Sequence, residues 1–406
     1  MPMRLPPVPP NPDPPPGPAL VRAGRRSYTR DHPHRAKGRT LNARTSLAAV
    51  MLSPRETELR ELPLPEIPTD AGLLRVVATG ICGSDWGKYL SDKFSPCVLG
   101  HEIVGYVEKI GEAASYRWGV KEGDYVALEE YLPCGHCEYC RTGEYRSCLE
   151  TDHFNPKGVR YGSTPITVAP SLYGGYSQYL YMHPRTVVHR LPANLPPHIA
   201  AMALPLGNGF QWAYMDAGTG PGQTIVIMGP GQQGLGCVVA ANVAGADNIV
   251  VVGLARDANR FETAKKLGAT HTIAVDEEDV REKIKDITGG RMADTVIEVS
   301  SAGPEIVNGG LSLLKKRGQM LCTAWKKTAV PLDLDRLIRF QASLRGVRGH
   351  SYEAVELAIN TMKSGKYPLD LISTHVVGLK DVDRALKIVG GETNEPAIHI
   401  TVEPWK

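Results

Sequence analysis

Apolar residues in this chain change their spacing once, near Ile199, and the change divides it into two kinds of text. From Ser46 onward, short apolar runs such as "SLAAVML", "GLLRVVATGIC", "VLGHEIVGYVEKIGE" and "EGDYVAL" are separated by Pro and Gly. Runs of that length between turn formers predict strands, so the stretch to about His198 reads as mainly β. After Ile199 the pattern alternates. "TIVIMG" is a buried-strand run, "LGCVVAANVAGA" a small-residue helix, and "NIVVV" a strand again. Helices at "ANRFETAKKLGA", "VREKIKDITGG" and "EIVNGGLSLLKKRG" then interleave with strands at "HTIAV", "DTVIEVS" and "QMLCTAW". Alternation of this kind calls for a parallel sheet with right-handed crossovers. From about Asp335 the text is less regular, with a helix at "SYEAVELAINTMKSGK" and a closing strand at "AIHITVEP".

A chain of 406 residues is long enough for two domains with sizeable cores. It contains no run of eighteen apolar residues, so no membrane span is expected. Aromatic residues, at 6%, are too sparse to suggest a base-stacking surface. Charge is unevenly spread. Residues 1–43 open Pro-rich and continue Arg-rich, with a net charge of +6, whereas the whole chain is +3. The remainder is therefore about −3 by difference, with no general attraction for nucleic acid. Proline at that density predicts a disordered tail, read as dispensable, as an organellar presequence or as an upstream start-site artefact. It lacks the apolar core of a secretory signal, and the cysteine usage suits a reducing compartment, so the cytoplasm is the expected location.

Three features carry chemistry. "TIVIMGPGQQGLG" sets Gly229, Gly231 and Gly234 as G-x-G-x-x-G between a strand and a helix, with Gly236 following. The first glycine permits the turn, the second lets backbone approach a pyrophosphate, and the third lets helix and strand pack closely. The helix N-terminus then faces the anion, so a dinucleotide is expected. No acid ends the second strand of this unit; Arg256 would suit a 2′-phosphate and Asp257 a ribose, leaving NAD or NADP open. The second feature is "CGHCEYCRTGEYRSC", in which Cys134, Cys137, Cys140 and Cys148 can close a tetrahedron of thiolates around a structural zinc. An iron–sulfur cluster and two disulfides are the rival readings. The third is the pair of segments "GICGSDWGKYL" and "CVLGHEIVGYV", where Cys82, His101 and Glu102 suit a second zinc with an open coordination position.

With "GICGSD", "GHEIVG", the four-cysteine lobe, "GPGQQGLG" and "ISTHVVGL" together, the chain from about Leu47 onward resembles the zinc-containing medium-chain alcohol, sorbitol and threonine dehydrogenases. The resemblance implies an α/β protein: a GroES-like β-rich catalytic domain over 44–199, a Rossmann domain over 200–334, and a return to the catalytic domain over 335–406. It implies a structural and a catalytic zinc, NAD or NADP, a small alcohol or carbonyl substrate, and dimers or tetramers. Cys82 and His101 would be catalytic zinc ligands, Glu102 a ligand or a supporting partner, and Ser84 the hydroxyl that takes the alcohol proton.

Two positions depart from the family pattern. Leu204 stands before Pro205 where polyol and threonine enzymes carry an acidic ligand, and no cysteine lies between Cys148 and Cys237 to replace it. Glu102 is the favoured substitute, with His153, another loop residue, or a weak or absent metal as alternatives. Gly87 stands where many relatives carry a proton-relaying histidine, which leaves water, cofactor hydroxyls or Lys88 to do that work. Trp86, Tyr89, Phe94, Tyr131 and His153 would either line the cleft or simply pack. The leading expectation is reversible alcohol oxidation. A zinc-independent reductase of activated alkenes or carbonyls comes second, and a zinc module for a partner or nucleic acid a remote third.

Overall fold

A computed structural model describes residues 45–93, 95–152, 155 and 157–406. The tail, Phe94 and His153 lie outside the described residues. The β-rich stretch supplies β1 (Thr45–Ser53), β2 (Glu56–Pro63), β3 (Gly72–Gly80), β4 (Cys97–Val98), β5 (Glu102–Ile110), β6 (Tyr125–Leu128), β7 (Tyr179–Met182) and β8 (Val188–Arg190). The alternating stretch supplies β9 (Thr224–Met228), β10 (Asn248–Gly253), β11 (His271–Ala274), β12 (Ala293–Glu298), β13 (Leu314–Cys322) and β14 (Ser343–Gly346). Near the C-terminus come β15 (Ser373–Val377) and β16 (His399–Val402).

Strands β9 to β14 form one parallel sheet in the order β11-β10-β9-β12-β13-β14. Central β9 is buried along its whole length, as expected of a strand covered by helices on both faces. A mixed sheet takes the order β15-β16-β3-β5-β6-β8, with β7 added beside β3, so chain from both ends builds one sheet. Strand β1 sits between β2 and β4 in a third, smaller sheet.

Two expectations about the alternating region need correction. The helix expected over "EIVNGGLSLLKKRG" ends at Ser312, and Leu314 already belongs to β13. Arg317, at a φ of 63°, interrupts the strand's entry, so the Lys-Lys-Arg stretch hid its continuity with Met320 and Leu321. The parallel sheet also runs past residue 334, because β14 is its last strand. As an edge strand it is largely exposed, and "SLRG" carries no apolar run to announce it.

At the β6–β8 end of the mixed sheet, ionisable groups are shut away from water. Glu129, just past β6, and His189 of β8 are both fully buried, with Glu129 Oε1 2.9 Å from His189 Nε2. The other ring nitrogen, Nδ1, lies 2.7 Å from Glu356 Oε1 on the helix Tyr352–Ser364. Tyr145 of the cysteine lobe donates to the same Glu129 oxygen, and His350 Nε2 lies 3.5 Å from the other. Burial alone would raise the Glu129 carboxyl, but His350 and His189 bring it down to about 2. Burial would lower His189, yet its hydrogen bonds to Glu129 and Glu356 raise it above the ordinary value.

The signs give a pH window. Glu129 contributes stability above its ordinary value of 4.5, and that contribution fades as pH falls through about 2. His189 contributes fully below its ordinary 6.5, and its share fades as pH rises through the raised value. Replacing Glu129 by Ala leaves His189 short of a buried partner and should cost about 3 kcal/mol. Urea unfolding across pH should show the wild-type advantage largest between 4.5 and 6.5, narrowing on both sides.

Candidate metal and dinucleotide sites

Strand register builds the first site. β3 and β5 run antiparallel with Gly80 opposite Glu102, so the end of one strand lies beside the start of the other. The chain leaves β3 through Cys82 into a short helix, Gly83–Tyr89, and enters β5 through His101. A thiol, an imidazole and a carboxylate thereby converge, with one ligand atom from each of Cys82, His101 and Glu102 within 4.8 Å of the others. Gly80 is required there. A Cβ on it would fall 2.1 Å from Glu102 Oε2 and 2.5 Å from His399 Nε2.

The surroundings fit a cation. His101 Nδ1 lies 3.1 Å from Asp85 Oδ1, which leaves Nε2 to act as a ligand. Asp85 is fully buried and fixed on its other oxygen by Tyr176 Oη at 3.0 Å and by the Cys82 backbone N–H at 3.1 Å. Burial would lower the His101 pKa, but the Asp85 charge and hydrogen bond override it and hold it well above the usual range. A carboxylate behind an imidazole is the arrangement that orients histidine toward a metal and raises its basicity. Glu102, 2% exposed, accepts from Gln232 Nε2 at 3.0 Å and faces His399 Nε2 at 3.3 Å.

The cysteine lobe brings the four sulfurs of Cys134, Cys137, Cys140 and Cys148 within 4.8 Å of one another. Every cysteine is free, and Cys134 Sγ stands 3.9 Å from Cys140 Sγ. Thiolates about 2.3 Å from a central zinc would be separated by about 3.8 Å, so this spacing fits a metal tetrahedron. Backbone N–H groups of Cys137 and Cys134 point at Cys134 Sγ and Cys148 Sγ, at 3.3 and 3.4 Å, and hydrogen bonds of this kind lower the Cys134 thiol.

In the glycine loop, Gly229 has a φ of 117° and closes the turn from β9. A Cβ on Gly234 would lie 1.9 Å from the Gly229 carbonyl oxygen, whereas one on Gly231 would meet nothing within 4 Å. The open side at Gly231 is where a pyrophosphate could approach the head of the helix Gln232–Ala244. Gly236 packs that helix onto Ala203–Gly209, where a Cβ would sit 3.0 Å from the Pro205 carbonyl oxygen. Beyond β10, Asp257 accepts from the Leu254 backbone N–H at 3.0 Å and pairs with Arg260 at 3.3 Å, while Arg256 is exposed.

The remaining expected residues separate clearly. Ser84 is exposed in the turn after Cys82, and Gly87 has open space around it. Lys88 is buried, with its ammonium donating to the Gly162 carbonyl at 3.0 Å. Trp86 and Tyr89 pack together at 5.6 Å, and Tyr89 Oη bonds the Arg55 carbonyl and Asp383, so these two are packing residues. Tyr131 is buried beside the Tyr145 and His350 rings. Leu204 is 3% exposed within the apolar core. Asp85, Tyr176, Gln232 and His399 carry roles that sequence reading missed. Only Asp85 left a signal, as an acid three residues after the helix-capping Cys82. A cavity of about 530 Å³ lies at the carboxyl ends of β13 and β14, lined by Cys322, Trp325, Val347 and Arg348 and by Arg146 of the cysteine lobe.

Comparison with known proteins agrees with this geometry. Residues 69–193 match the alcohol dehydrogenase GroES-like domain, and residues 234–364 match the zinc-binding dehydrogenase domain. A probable alcohol dehydrogenase of Mycobacterium tuberculosis is 33% identical over 88% of this chain and 98% of its own length. The chain belongs to the zinc-containing medium-chain dehydrogenase family. A sorbitol dehydrogenase of Bacillus subtilis is 33% identical over 74% of this chain and 81% of its own. The crystal structure of an alcohol dehydrogenase from Thermotoga maritima superposes with a TM-score of 0.78 at 25% identity, covering 89% of this chain and 99% of that one. This dehydrogenase therefore pairs a GroES-like sheet with a Rossmann sheet, and it is an oxidoreductase of CH–OH groups.

Zinc titration of metal-free protein should reach two ions per chain. Cys140→Ala should leave one, and His101→Ala the other, as read by elemental analysis after gel filtration.

Proposed function

We propose that this chain is a zinc-dependent dehydrogenase moving a hydride between a small alcohol or polyol and NAD or NADP. One observation carries the reading: Glu102 stands within 4.8 Å of Cys82 and His101 while hydrogen-bonded to Gln232 of the glycine loop. Cation set and dinucleotide loop thus meet at a single carboxylate. Cys82, His101 and Glu102 would hold the catalytic zinc, Glu102 taking the place that Leu204 vacates. Cys134, Cys137, Cys140 and Cys148 would hold the structural one, and Gly229, Gly231, Gly234 and Gly236 would shape the dinucleotide site.

The net reaction converts an alcohol and the oxidised dinucleotide into a carbonyl, the reduced dinucleotide and one proton. Bound zinc would supply Lewis acidity toward the alcohol oxygen, and nicotinamide the hydride acceptor. The chain's residues do the rest. Asp85 keeps a proton on His101 Nδ1 and so fixes the ring's orientation. Ser84 receives the hydroxyl proton and, being exposed, passes it to solvent, which removes the need for a histidine at Gly87. Lys88 takes no part, because its ammonium is already committed to Gly162. A metal-free reductase would have no use for the Cys82, His101 and Asp85 arrangement.

The same reading places the protein in the cytoplasm, consistent with eight free cysteines. Among the described residues no helix is long and apolar enough to cross a membrane. It also makes the protein a homodimer or homotetramer, supported by the edge strand β14 and the exposed Leu334 and Ile338 nearby. The dinucleotide part would span 200–334 extended through β14, and the catalytic part the chain on either side.

Cys82→Ala should abolish alcohol oxidation while leaving dinucleotide binding, followed by nicotinamide fluorescence, within about twofold; undiminished turnover would sink the proposal. Arg256→Ala should raise the KM for NADP about tenfold and leave that for NAD unchanged, an effect worth about 1.4 kcal/mol.

A further inference from the structure

We infer that Gln232 is a positioning residue that links occupancy of the dinucleotide loop to cation affinity at the neighbouring site, acting through Glu102. The inference rests on the proposed zinc and dinucleotide sites and adds the coupling between them.

Gln232 opens the helix Gln232–Ala244, between Gly231 and Gly234 of the glycine loop. Its side chain reaches the mixed sheet, where Nε2 donates to Glu102 Oε1 at 3.0 Å. Glu102 has little freedom. Its backbone starts β5 opposite Gly80, and Gly80 leaves no room behind the carboxylate. His399 Nε2 faces the second oxygen at 3.3 Å, from the far end of the chain.

The carboxylate is therefore shared among an amide from the dinucleotide loop, an imidazole from β16 and the cation position beside Cys82 and His101. A carboxylate offers about four lone-pair directions, so all three can be served only when its plane is fixed. Gln232 fixes it by holding Oε1. An outer-shell donor of this kind is typically worth 10–100-fold in metal affinity. The same amide belongs to the head of the helix against which a dinucleotide would bind. Whatever the dinucleotide does to that loop changes the hold on Glu102, and linkage requires the effect to be reciprocal.

The test uses the full chain and two equilibrium readouts. Zinc affinity is measured by chelator competition with and without NADH or NADPH, and dinucleotide affinity by fluorescence in metal-free and zinc-loaded protein. In the wild type, each ligand should tighten the other by the same factor, about 5-fold or more. Gln232→Met keeps the chain length but removes the donor. It should weaken zinc at this site about tenfold and bring the coupling factor to about one, while the metal-free protein still binds dinucleotide. In a double-variant cycle with Glu102→Gln, the Gln232→Met effect on zinc should vanish. Should Gln232→Met fold poorly, Gln232→Ala removes the same donor with a smaller side chain, and it should weaken zinc to a similar degree. Wild-type protein that binds both ligands independently, or a Gln232→Met variant with unchanged zinc affinity and coupling, overturns the inference and leaves the proposed function standing. Wild-type protein that takes up no second zinc, or no dinucleotide, overturns both.

Discussion

A carboxylate shut away from water must be paired or neutralised, and in this protein that requirement falls on the mixed sheet and the segments at its strand ends. Asp85, Glu102 and Glu129 are each no more than 2% exposed, and each faces a histidine: His101, His399 and His189 respectively. The partners come from distant parts of the chain, since Glu102 and His399 are 297 residues apart. Desolvation would make any of these acids costly alone. Satisfying them fixes the closing strand β16 against β3, sets His101 toward Cys82, and ties the helix Tyr352–Ser364 to β8. The site is thus a consequence of how these buried acids are satisfied.

Legibility in the sequence followed the range of the interaction. The four-cysteine lobe and the glycine loop were readable because their chemistry is set by spacing within fifteen residues or fewer. Cys82 and His101–Glu102 were readable as ligand types, but their meeting depends on the Gly80–Glu102 register, which no local pattern states. Gln232 and His399 were invisible for the same reason. A glutamine in a glycine loop and a histidine on a terminal strand look ordinary until a fold sets them 3.0 and 3.3 Å from one acid. Strand β14 was missed on different grounds: an edge strand can stay polar, so hydrophobic spacing is silent about it.

Leucine at position 204 looked like a gap in the metal set, and the structure shows what fills the space instead. The helix Ala203–Gly209 is packed by apolar contacts, and Gly209 approaches the helix Gln232–Ala244 so closely that a Cβ would fall 2.2 Å from Gly236 C. An acid at 204 would bring a charge into that packing and would need the cation as its partner. Leucine removes this demand and helps to hold the glycine-loop helix close. The same helix then delivers Gln232 to Glu102. On the proposed reading, in which Glu102 serves as a ligand, Leu204 keeps this packing apolar while the glycine-loop helix carries Gln232 to that glutamate.

The cysteine lobe reaches one of these acids by its own route. Tyr145 sits between Cys140 and Cys148 in the chain, and its hydroxyl donates to Glu129, the acid that holds His189 and faces His350. A metal that draws the four sulfurs together also fixes the loop carrying Tyr145. A lobe whose four thiolates all bound one metal would have no ligand position to spare, yet it would restrain a buried charge cluster that joins β6, β8 and the helix Tyr352–Ser364. Freeing that loop would withdraw a donor from Glu129 and loosen the joint among β6, β8 and the helix. The cation set beside Cys82 would still be whole, because Asp85, Tyr176 and the β3–β5 register hold it without help from the lobe.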